Sequence, residues 1–155
     1  MKLLFTLFIA IFFAASVCAQ EAQPANTFYD FTEAKEYARA HDLPILMVFA
    51  GSDWCKPCIQ FKRGVLLREQ FQNYTKDHLV ILYLDFPAKK RNKLSPEQTA
   101  HNERLAAKYN AQGAFPSLLV LTHNATIIGQ LSFTGQSSQE FIESLEQLTE
   151  SDDKS

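Results

Sequence analysis

Cys55 and Cys58 stand two residues apart in the run Trp54-Cys55-Lys56-Pro57-Cys58. Two thiols at this spacing, on the first turn of a helix, can form and break a disulfide with each other. A sulfur at a helix N-terminus faces unpaired N–H groups and the positive end of the helix dipole, and both favour the thiolate. Cys55 is therefore the expected nucleophile, with a pKa below the roughly 8.5 of a free thiol. Lys56 adds a positive charge beside it, and Pro57 suits a first helical turn, where its missing N–H costs little. Cys58 lies about one turn on, is expected to be more enclosed, and would keep the higher pKa. It would attack the mixed disulfide that Cys55 makes with a partner and release that partner reduced. Two other chemistries compete for the same residues. A permanent structural disulfide would restrain little chain, because the loop it closes is so short. A zinc site needs two further ligands, and His41, His78, His101 and His123 are isolated in the sequence and expected at the surface or in loops. No metal and no cofactor beyond the Cys55–Cys58 pair is expected.

Elements of alternating type must hold this pair. Asp30, with Glu33 three residues later, predicts a capped helix that continues through Phe31, Ala34 and Ala38 to about His41, before Leu43-Pro44. Ile45 to Ala50 is an apolar run fit for a buried strand. Gly51-Ser52-Asp53 turns the chain into the cysteine motif, with Asp53 expected in a turn or capping role. A helix is predicted from Ile59 to about Gln72, with a break near Gly64. Leu79 to Leu84 reads as a second buried strand. Asp85 to Leu94 is a loop carrying Lys89, Lys90, Arg91 and Lys93, expected to be a solvated basic stretch. Ser95 caps the next helix, with Pro96 in its first turn and Gln98 three residues on; it ends at Asn110 to Gly113. Pro116 precedes the strand Ser117 to Leu121, a turn at His123-Asn124-Ala125 follows, and Thr126 to Ser132 pairs back. Ser137 and Glu140 open a last helix whose apolar face carries Phe141, Ile142, Leu145 and Leu148. Continuous apolar strands separated by helices imply an α/β architecture, a mixed sheet covered on both faces.

The motif, the strand before it and Phe115-Pro116-Ser117 downstream resemble the thioredoxin family over roughly Asp30 to Leu148. The resemblance implies a thioredoxin fold with a central mixed β-sheet and helices on both faces. It implies a cis bond before Pro116, packed beside the disulfide, and a substrate-binding surface formed by Trp54, Phe115 and Pro116. The backbone of Phe115 would pair with bound polypeptide. The family also has a buried Asp six residues before its first active-site Cys, and a buried Lys on the next strand. Counting places Phe49 and Ile81 at these positions, so both charged groups are missing. The lead-in Gly51-Ser52-Asp53-Trp54 and the long basic loop look closer to secreted bacterial thioredoxin-like proteins than to the cytosolic ones.

The rest of the chain sets the context. It has 155 residues, 46% of them hydrophobic, and a formal charge of −2. That length fits one ordinary domain. The balanced charge provides no basic field for nucleic acid, so no nucleic-acid partner is expected. Lys2, the apolar stretch Leu3 to Ala15, and Val17-Cys18-Ala19 before Gln20 match a secretory signal peptide, residues 1–19. Its apolar core falls short of the roughly 20 residues of a membrane helix. Removing it takes away Cys18 and leaves Cys55 and Cys58 as the only thiols. Residues 20–29 read as a flexible leader, 30–150 as the domain and 151–155 as a polar tail. The expected protein is a periplasmic or secreted monomer that reduces protein disulfides. The resemblance implies a membrane disulfide reductase as its electron donor. A dithiol oxidase or isomerase would use the same pair, and a non-catalytic peptide-binding module would use the same surface.

Overall fold

The computed structural model describes residues 23–152; the signal-peptide expectation lies outside these residues. The elements run β1 (Thr27–Phe28), α1 (Phe31–His41), β2 (Ile45–Ala50), α2 (Lys56–Phe61), α3 (Glu69–His78), β3 (Val80–Asp85), α4 (Pro96–Tyr109), β4 (Ser117–Leu121), β5 (Ile127–Leu131) and α5 (Ser138–Asp152). The strands form one sheet in the order β1-β3-β2-β4-β5. β1 and β2 flank β3 in parallel, while β4 runs antiparallel to β2 and to β5. This is the expected mixed α/β sheet. Every residue of β2 and of β4 is buried, as their unbroken apolar runs require.

Capping chemistry sets the helix ends. The Asp30 carboxylate accepts from the backbone N–H groups of Thr32 and Glu33 at 2.7 and 3.1 Å. The Ser95 hydroxyl accepts from Gln98 N–H at 3.1 Å, and the Glu140 carboxylate accepts from the N–H and hydroxyl of Ser137, both at 2.8 Å. These follow the sequence signals.

Three boundaries differ. Thr27 and Phe28 belong to the supposed leader, yet they form an edge strand beside Ile81 and Leu82. The Asn26 side chain fixes that segment by donating to the carbonyls of Thr75 and Lys76 at 2.8 and 3.1 Å. The break expected at Gly64 lies instead at Leu67 and Arg68. After Phe61 the helix widens into a π turn over Lys62–Leu66, which brings the adjacent residues Val65 and Leu66 both into the core. Arg68 is then extended, and α3 continues to His78 rather than stopping near Gln72. Finally, α5 takes in Ser151 and Asp152 from the expected tail.

The sheet divides the core in two. On one face α1 and α4 cover Ile45, Met47, Phe49, Leu82 and Leu84. On the other, α2, α3 and α5 cover Leu46, Val48, Ala50, Ile81, Leu118 and Val120, and both cysteines belong to this second cluster.

Candidate active site

Cys55 is the residue that caps α2, with Lys56 and Pro57 in the first turn. Its Sγ accepts from the Cys58 N–H at 3.3 Å, and its own N–H donates to the Gly51 carbonyl at 3.0 Å. The two cysteines form a disulfide with Cα atoms 5.3 Å apart. They are thus held at a helix start directly after the central strand, where the apolar run of β2 delivers them. The expected contrast in enclosure is slight in this oxidised form, with Cys55 4% and Cys58 2% exposed. Their surroundings differ more. Cys58 lines a pocket of about 180 Å³ with Ser52, Ile59, Lys62, Arg63 and Tyr83.

Trp54 is 50% exposed beside the disulfide. Its indole N–H donates to the Phe86 carbonyl at 2.7 Å, and its ring meets Phe115 edge-on at 5.3 Å. Phe115 in turn meets Phe86 at 5.4 Å. The peptide bond between Phe115 and Pro116 is cis, as the resemblance implies. Asn110 shapes the approach to it, donating to the Ala114 carbonyl at 2.9 Å and accepting from the Ala114 N–H at 3.1 Å. Trp54, Phe115 and the disulfide therefore share one rim of the molecule. Phe86 completes that rim and escaped the sequence reading, because it follows β3 in what looked like the start of a solvated basic loop.

That loop is tied down at its base. The Asp53 carboxylate accepts from the N–H groups of Ala88 and Lys89 at 2.8 and 3.0 Å, and from the Asn92 amide at 2.8 Å. The bond from Ala88 is the main cause of a carboxyl pKa held below its ordinary value. This is the turn role expected of Asp53. A second carboxylate, Asp85, accepts from the Ser52 N–H at 2.9 Å and the Ser52 hydroxyl at 2.6 Å, which fixes the turn before Trp54.

Phe49 requires a correction. Counting back from Cys55 lands on it, but successive strand residues point to opposite faces. Phe49 lies in the α1/α4 core, away from the disulfide, whereas Val48 faces the cysteine cluster. The neighbour of Val48 on β3 is Tyr83; Ile81 pairs with Leu46, one repeat further back. Ala50 and its partner Asp85 end the two strands at the cysteine turn, and Val48 and Tyr83 are the pair next to them on that face. The familiar Asp and Lys are absent from the pair of Val48 with Tyr83 and from that of Leu46 with Ile81.

The histidines are not all peripheral. His101 is partly buried on α4, where its Nε2 accepts from the Phe31 N–H at 3.1 Å and its Nδ1 lies 3.0 Å from Asn102 Oδ1. Among the described residues, no group of three or more His, Cys, Asp or Glu side chains is placed to hold a metal ion.

Residues 31–149 match the family model of the thioredoxin-like domain. The chain belongs to the thioredoxin-like family. It is 32% identical over 103 residues to the disulfide bond reductase DsbH of Chlamydia pneumoniae, an alignment covering 66% of this chain and 60% of that protein. It is 24% identical to the thioredoxin-related protein DsbJ of the same organism, covering 98% of this chain and 44% of that one. The chain therefore spans roughly half the length of the curated relatives it matches. Among solved structures, the DsbH oxidoreductase superposes with a TM-score of 0.72 at 27% identity, covering 81% of this chain and 86% of that one. A thioredoxin from Thermus thermophilus superposes with a TM-score of 0.58 at 22% identity, covering 78% and 85%. The fold is the thioredoxin fold.

Proposed function

We propose that this protein is a thiol–disulfide oxidoreductase that reduces disulfides of exported proteins. The observation that carries the reading is the placing of the Cys55–Cys58 disulfide at the start of α2, with Cys55 as the capping residue, on the rim that carries Trp54 and the cis Phe115–Pro116 bond. In the reduced protein, the Cys55 thiolate attacks one sulfur of a substrate disulfide. The S–S bond of the substrate breaks, its other sulfur leaves as a thiolate and takes up a proton, and a mixed disulfide forms. Cys58 then loses its proton and attacks Cys55 Sγ. The Cys55–Cys58 bond forms, and the second substrate sulfur leaves and is protonated. Two electrons pass from the protein dithiol to the substrate.

Lys56 and the N–H groups of the first turn favour the Cys55 thiolate, and Pro57 fixes the backbone of that turn. Trp54, Phe115 and Pro116 form the surface that receives the substrate chain. A membrane disulfide reductase regenerates the dithiol. Residues 1–19 act as the export signal, and the mature protein works as a monomer in the periplasm or outside the cell. The similarity to the disulfide bond reductase DsbH supports the reducing direction.

Replacing Cys58 with Ser tests the mechanism. Mixed disulfides through Cys55 are expected to accumulate and to be recovered with their partners by mass spectrometry. A Cys58→Ser protein that binds unfolded clients but traps none would be a non-catalytic binding module. Equilibration with glutathione separates reductase from oxidase: a potential near about −270 mV goes with the former, and one well above about −200 mV with the latter.

A further inference from the structure

We propose that Tyr83 replaces the missing buried charged pair of this family, by donating a hydrogen bond from its hydroxyl to the thiolate of Cys58. The inference rests on the oxidoreductase reading, and it concerns the step in which Cys58 must lose its proton. Tyr83 lies on β3 directly beside Val48, packs against the cluster containing both cysteines, and lines with Cys58 the same pocket of about 180 Å³. No hydrogen bond among the described residues occupies its hydroxyl. In the oxidised protein the Cys58 sulfur is a weak acceptor. On reduction the thiolate becomes a charged one, and a bond to a charged acceptor is stronger than a neutral one.

The surroundings of the phenol determine which partner holds the proton. Burial first, then the carboxylate of Asp85, then Tyr29, push the Tyr83 pKa well above its ordinary value. The hydroxyl therefore stays protonated throughout the range in which thiols titrate, so it serves as a donor and not as a base. The charged groups around the sulfur act in both directions. Lys62 and Arg63, from the π turn, border the pocket and favour the Cys58 thiolate. Asp85, two residues along β3, opposes it, but its carboxylate is engaged by the Ser52 hydroxyl and backbone and by the Phe86 N–H. The pocket has room for several waters of about 30 Å³ each, a route by which the Cys58 proton reaches solvent. Cys58 then attacks Cys55 Sγ, the substrate sulfur leaves, and the Tyr83 hydroxyl keeps its hydrogen throughout.

The test uses the full mature chain carrying Cys55→Ala, with and without Tyr83→Phe, and follows alkylation of Cys58 by iodoacetamide against pH. With the hydroxyl gone, the Cys58 midpoint is expected to rise by about one pH unit, and its alkylation rate near neutrality to fall about threefold, the tenfold loss of thiolate being partly offset by the greater nucleophilicity of the more basic sulfur. With both cysteines present, attack of Cys55 on a peptide disulfide should be unchanged, while release of the mixed disulfide slows by a similar factor. Superimposable Cys58 profiles would overturn the proposal. Should Tyr83→Phe not fold, replacing the tyrosines with 3-fluorotyrosine, a stronger donor, must lower the Cys58 midpoint; no movement overturns it equally. Thiol titration needs no turnover. Failure of the Cys58→Ser protein to trap partners would therefore sink the enzymatic reading while leaving the Tyr83 result separately legible.

Discussion

Gly51 shows how one residue sets the rim of the site. A Cβ at this position would overlap the Trp54 indole, so the ring lies flat over the turn only because no side chain is there. Gly51→Ala must push the indole away, which breaks its bond to the Phe86 carbonyl and its edge contact with Phe115. Those losses predict a destabilisation of about 1–2 kcal/mol. Trp54 is the only tryptophan, so its fluorescence reports the displacement directly. The emission should shift to the red, and attack on peptide disulfides should slow while the Cys55 thiol still titrates as before. An unchanged spectrum would mean that the indole is placed by something other than Gly51. At this scale the sequence disclosed the motif, because Cys55, Pro57, Cys58 and Pro116 are recognisable by type and spacing. It hid the face each strand residue takes. Phe49 and Val48 are adjacent and both apolar, so only pairing with β3 reveals that Val48 and Tyr83 face the cysteine cluster.

The elements were legible where their signals are local. The caps at Asp30, Ser95 and Ser137, and the apolar runs of β2 and β4, are written in a few consecutive residues. β1 is only two residues long and takes its stability from β3 and the Asn26 side chain, partners some fifty positions away. The break at Arg68 has no glycine or proline to announce it. Gly64, the expected breaker, has open space around it, and the chain passes through it in helical form. The loop after β3 is another element whose order comes from a distant residue. Asp53 holds Ala88, Lys89 and Asn92, chiefly through the Ala88 N–H, with a carboxyl pKa below the usual value of 3.8. A carboxyl depressed in the folded state contributes its stabilisation above the unfolded pKa and loses it as pH falls through the folded one. The loop should therefore stay docked from neutrality down to pH 3.8 and release below it. Asp53→Ala should release it at every pH. Amide exchange at Ala88 and Lys89 measures both, and protection that survives in the variant would show that the loop is held otherwise.

At the scale of the whole molecule, the disulfide belongs to one of the two cores, and its support reaches through to α5. The Phe141 ring meets Phe61 at 5.1 Å and Phe71 at 6.0 Å, and Phe61 meets Phe133 at 5.3 Å. Phe61 ends α2, one turn beyond Cys58, so these rings press the helix that carries the cysteines against the sheet. Phe141→Ala removes the central ring of this set and leaves a cavity in a fully buried place. Urea unfolding should show a loss of about 3–5 kcal/mol, with little change in the slope. Because the cavity adjoins α2, the reduced variant should also expose Cys58 more often, seen as faster alkylation in the Cys55→Ala background. Tyr109→Ala provides the control. Tyr109 packs on Phe31 in the opposite core, 6.1 Å between ring centres. Its loss should lower stability without changing Cys58 alkylation. Equal effects of the two substitutions on Cys58 would mean that the sheet transmits disorder between its faces, and that the α5 face is not the particular support of the site.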